Sequence, residues 1–193
     1  MLLAYFGLPE KSLSLKKLDK ITNHKNGMFT WQGVSLLWLA SIGFEVINFE
    51  NIDYKMFAKN GSEYLKKIWP KETFDIQNKY SDLKKEQQIA TKLLNNPHIQ
   101  LKQKSLSIKE IKNYFDKGYF IMVSVNSLFL ANKKGYSSHM VVITGFDNTY
   151  VHINDPGLPA KKNWEITYSA FEKSILPPIK PDTNTILFRH RRM

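Results

Sequence analysis

Two β-prone runs constrain this chain more than any other feature. Met140 to Thr144 and Tyr150 to Asn154 are rich in Val, Ile and Tyr and are joined through Gly145-Phe146-Asp147-Asn148. Such runs, separated by turn residues, read as an antiparallel hairpin. A tight turn centred near Asp147 sets His139 opposite Asp155, with both side chains on one face. Val141, Ile143, Val151 and Ile153 share that face, so the pair ends an apolar strip, while His152 points the other way. A one-residue change in turn length would set His139 against Pro156 instead. Tyr119 to Val125 is a third, continuously β-prone run, expected at the centre of a sheet. Thr185 to Arg189 reads as a last short strand.

Helical signals surround these runs. Ser107-Ile108-Lys109-Glu110 has capping-box spacing and opens a helix with Ile108, Ile111, Tyr114 and Phe115 inward, closed by Gly118. Thr167 can cap a final helix through Phe171 and Ile175, after a closing loop that begins at Asp155-Pro156-Gly157. Upstream, Ser14 can cap a helix ending at Asn26-Gly27, and Thr30 one that runs through Ile42 to Gly43. Phe44 to Phe49 reads as a strand. Residues 52–105 are Lys-rich and helical in propensity, without a period-2 run; Ser81 can start a helix there that stops at Asn95-Asn96-Pro97. Trp31 and Trp38, seven apart, give one helix a bulky face suited to core packing. Helices first and an antiparallel sheet later make an α+β fold, read as one domain over 1–193 with 52–105 as a helical insertion.

Composition removes several function classes. The chain has no cysteine, which excludes a disulfide framework, a thiolate zinc site, an iron–sulfur cluster and a cysteine nucleophile among its 193 residues. The five histidines show no metal-binding spacing, so neither metal nor cofactor is expected. The net charge of +11 comes mostly from lysine, the only arginines being Arg189, Arg191 and Arg192. Scattered lysine lacks the fork geometry of arginine, so nucleic-acid binding is the lesser expectation and the terminal arginines read as a solvated tail. No apolar run approaches the roughly 20 residues needed to span a membrane. The opening MLLAYFGLPE has no basic n-region and no cleavage site, so the default compartment is the cytoplasm.

An imidazole held by a carboxylate has a fixed tautomer and a stabilised cation, the two requirements of a general base that serves a nucleophile. A structural hydrogen bond between two strand-end residues would leave the same pattern. Ser137 and Ser138 adjoin His139, but chain neighbours make a poor serine–histidine pair.

The segment GYSSHMVVITGFDNTYVHINDPG resembles the histidine and aspartate region of bacteriocin-processing cysteine peptidases, the double-glycine-leader branch of the papain-like fold. SIKEIKNYFDKGYFIMVSVN resembles the helix and strand before the histidine, GMFTWQGVSLLWLASIGFEV the second helix, and DPGLPAKKNWEITYSAFEKSI the closing loop and helix. The resemblance implies a papain-like fold with N-terminal helices packed on the sheet, and a peptide or protein substrate. It assigns His139 as the base and Asp155 as the residue that orients it. It also implies a nucleophilic cysteine at the start of a buried N-terminal helix. Met1 to Phe6 read as the end of that helix, which places the cysteine upstream of Met1 or lost, and the chain is then expected to be inactive. The alternative is a basic, non-enzymatic module for nucleic acid or another anionic surface.

Overall fold

The computed structural model of the chain describes residues 14–178 and 182–191, together with Gly7. The apolar opening Met1 to Phe6, expected to end a buried helix, and Arg192 lie outside the described residues. The elements in order are α1 (Leu15–Thr22), α2 (Gly33–Ser41), β1 (Phe44–Glu50), α3 (Tyr54–Asn60), α4 (Ser62–Ile68), α5 (Lys71–Tyr80), α6 (Leu83–Leu94) and β2 (Ile99–Lys102). They continue with α7 (Ile108–Asp116), β3 (Phe120–Asn126), α8 (Ser127–Leu130), β4 (Ser138–Phe146), β5 (Tyr150–Asp155), β6 (Lys161–Thr167), α9 (Tyr168–Ser174) and β7 (Asn184–His190). The fold is α+β, as the sequence predicts. The chain divides into two compact units.

The first unit comprises Met1–Val46, Ile52–Leu101 and His190–Met193. Its core joins Ile52, Phe57, Leu65, Leu83 and Ala90 to Trp31 and Trp69. Trp31 stacks on Phe57 at 5.8 Å, meets Trp69 edge-on, and donates its indole N–H to Ser81 Oγ at 3.0 Å. It precedes α2 and does not ride on it, because Gln32 takes the N-cap while the Thr30 hydroxyl bonds His24 Nδ1 at 3.0 Å. Asp82, not Ser81, caps α6, accepting from Lys85 N–H at 3.1 Å. Helix α1 is capped by Ser14 as expected but stops at Asn23, which takes a left-handed conformation with φ 58°. Strand β2, unforeseen within 52–105, is only four residues long: Ile99 and Leu101 alternate with the exposed Gln100 and Lys102, too brief a run to stand out in a helical stretch. The described part of the basic end stays exposed at Arg191 yet makes contacts: His190 sits edge-on to Phe44, and Arg191 Nη2 donates to Ala40 O at 3.1 Å.

The second unit comprises Ile47–Asn51 and Lys102–Arg189. Its strands run in the order β1, β7, β3, β4, β5, β6, and β3–β7, β3–β4, β4–β5 and β5–β6 are antiparallel. β3 lies inside the sheet and carries buried residues on both faces, which is why its run is continuously apolar. Ile121, Val123, Val141, Ile143, Val151 and Ile153 pack one face against Ile111 of α7 and Phe171 of α9. Both halves of the capping box hold α7: Glu110 accepts the Ser107 N–H at 2.9 Å and Ser107 Oγ accepts the Glu110 N–H. Gly118, at φ 80°, ends it. The predicted closing loop is in part a strand, β6, whose inward pattern is only Trp164 and Ile166. Arg189 lies over the Tyr119 ring at 5.0 Å.

Candidate active site

His139 is the second residue of β4 and Asp155 the last of β5. The register that joins them differs from the expected one. The turn closes between Asp147 and Tyr150, later than predicted, and Phe146 pairs with Val151. That offset of three residues would by itself put His139 and Asp155 on opposite faces. A bulge between Ile143 and Gly145 takes back one residue, so Ile143 pairs with Ile153 and the offset becomes two. Facing parity is restored. His139 and Asp155 share a face diagonally, not directly opposite, and His139 Nε2 donates to Asp155 Oδ1 at 2.5 Å.

The carboxylate is held from a second side. Gly157 N–H donates to the same Oδ1 at 2.7 Å. A Cβ on Gly157 would lie 2.9 Å from that oxygen and 3.5 Å from His139 Nε2. Glycine is required here by space and not by a left-handed backbone. Burial pushes the Asp155 carboxyl up, but the Gly157 and His139 hydrogen bonds and the charges of His139 and Lys161 outweigh it and hold it below the usual range.

Histidine–carboxylate contact alone is not distinctive. His98 meets Glu45 at 2.9 Å, and His152 meets Asp147 at 2.7 Å on the face away from the core strip, as its position in β5 predicts. Those carboxylate side chains are 33% and 47% exposed, whereas that of Asp155 is 15% exposed. The His139 pair also opens onto a cleft of about 400 Å³ lined by Leu130, Lys133, Leu158, Lys161 and Trp164 among others. With Nε2 committed to Asp155, the neutral ring presents its Nδ1 lone pair, and none of the described residues bonds to it.

Two neighbouring hydroxyls, those of Ser138 and Ser127, are otherwise engaged. Ser138 Oγ bonds Ser124 Oγ at 2.8 Å, and Ser127 Oγ donates to Ser137 O at 3.1 Å. Among the described residues no group of three His, Asp or Glu side chains could hold a metal ion, and no helix is long and apolar enough to cross a membrane. Sequence reasoning missed the cleft walls. Lys133 follows α8, a single turn whose cap Asn126 also accepts the Ser137 N–H at 3.2 Å and donates to Gly135 O. Lys161 and Trp164 belong to β6. The Asn126 side chain, able to cap a turn straight after a strand, was the one signal for α8.

Compared with models of known families, residues 1–176 match the Peptidase_C39 like family. The comparison with curated proteins gives no match.

Proposed function

The chain belongs to the Peptidase_C39 like family, a cysteine peptidase-like group, and from that premise we propose that His139 and Asp155 form the base and its orienter in a peptide-binding cleft. The observation that carries this reading is the anchored contact between Nε2 and Oδ1, which leaves Nδ1 for proton transfer. In peptide-bond hydrolysis of this type, Nδ1 accepts the proton of the attacking thiol and returns it to the leaving amine. Asp155 fixes the ring and stabilises the imidazolium between those steps. The whole of 1–193 serves as one peptidase-like domain, with 52–105 as its insertion.

None of the 193 residues is a cysteine, so these residues supply the base and its orienter without the thiolate. By themselves they are a peptide-binding pseudo-peptidase. A basic module for nucleic acid gains little support, since Arg189 and Arg191 are engaged within their own units. Incubation of the 193-residue chain with a mixed peptide pool tests the reading. Peptides should bind at the His139 cleft and no new fragments should form. Fragments that vanish on His139→Ala would contradict it and demand another nucleophile.

A further inference from the structure

We infer that the His139 cleft selects peptides carrying a carboxylate beside an apolar residue, with Lys133 and Lys161 as the groups that read the carboxylate. The inference rests on the proposed role of the cleft as a peptide site.

The charge distribution of the lining carries the argument. Lys133 and Lys161 both line the cleft and both are exposed, and neither forms an ion pair among the described residues. Among the described residues Asp155 is the only acidic side chain lining it, and its Oδ1 already accepts from His139 and Gly157. Lys161 also acts on the Asp155 carboxylate, but with two lysines against one carboxylate a ligand entering the cleft meets a net positive charge. Lys161 is also placed with some precision: its backbone pairs with Asp155 across β5–β6, and its Nζ stands 3.4 Å from the centroid of the Trp164 ring. An ammonium resting on an indole face points part of its three N–H donors at the ring and keeps the rest for solvent or an anion.

Most of the remaining lining is apolar. Leu130, Pro159 and Leu158 contribute to it, and Leu158 is fully exposed at 101%. A leucine that buries none of its side chain gains nothing from folding and stands free for contact with an apolar ligand group. Apolar wall and cationic groups in one cleft match a peptide in which a leucine-like side chain neighbours a carboxylate. A lysine or arginine in the same place would face like charge. The carboxylate can come from an acidic side chain or from a peptide C-terminus, two sources with one chemistry.

The test uses the intact 193-residue chain and three synthetic probes, with calorimetry for affinity and the Trp164 indole resonance to place binding in this cleft. The probes are Ac-Ala-Ala-Leu-Glu-Ala-Ala-NH2, its Gln analogue, and the free acid Ac-Ala-Ala-Leu-OH. The Glu peptide should bind about fivefold more tightly than the Gln peptide, from two exposed charge pairs, with the gap narrowing as salt rises. In the double variant Lys133→Gln, Lys161→Gln the gap between the Glu and Gln peptides should close. Tight binding of the free acid would support the inference and identify a chain terminus as an accepted source. Equal affinity for the Glu and Gln probes, or a gap that survives in the double variant, would overturn the selectivity and leave the peptide site standing. Failure of every probe to move Trp164 would instead remove the peptide-site reading, and this inference with it.

Discussion

Asp155 Oδ1 accepts two hydrogen bonds, and the glycine that gives one of them leaves the room for the other. Gly157→Ala would place a methyl group 2.9 Å from that oxygen, against a residue pinned at the end of β5. The carboxylate has to turn away, and the His139 contact goes with it. Overpacking of this kind costs about 1–3 kcal/mol. The variant should lose that much in urea unfolding and also lose the downfield His139 Nε2 proton resonance that a carboxylate acceptor produces. An unchanged resonance would show that the site tolerates the methyl group. The histidine and aspartate were legible in the sequence because strand alternation has a period of two, and an even register error leaves it intact. Gly157 was not legible, because its requirement is a distance between residues that no local pattern records.

Among the elements, the legible ones have caps with a single reading. Ser107 with Glu110, and Thr167, mark α7 and α9 where expected. Where two cap candidates adjoin, as Ser81 and Asp82 do, the sequence does not choose; tertiary contact does, since the Ser81 hydroxyl is drawn to Gln77 and Trp31. The four-residue β2 and α8 are too brief to stand out, and β6, seven residues long, turns only Trp164 and Ile166 inward and so reads as a loop. Helix α6 also holds Glu86, only 7% exposed, whose carboxyl burial pushes up to about 7, against a lowering by Lys85. An unfolded glutamate titrates near about 4.3. The folded state therefore holds this proton more tightly, and stability falls as pH rises from about 4.3 to about 7, then levels off. Glu86→Gln removes the ionisation. Its advantage over the parent should grow by about 2–3 kcal/mol between pH 4 and pH 8 in urea unfolding. A difference between the two proteins that does not change with pH would contradict the burial argument.

For the whole molecule, the +11 charge suggested a nucleic-acid partner more loudly than the packing supports. Arg189 lies over Tyr119 and Arg191 reaches the Ala40 carbonyl, so two of the three arginines serve the fold. The family match over residues 1–176 spans residues of both units, and the His139–Asp155 pair lies in the second. The central claim is that this pair is a base and its orienter, which requires a particular tautomer. Nitrogen NMR of the His139 side chain in the intact chain reads it directly. The neutral ring should carry its proton on Nε2, hydrogen-bonded to Asp155, with Nδ1 unprotonated, and Asp155→Asn should abolish that bonded proton. A neutral ring protonated on Nδ1, or a spectrum indifferent to Asp155→Asn, would contradict the account.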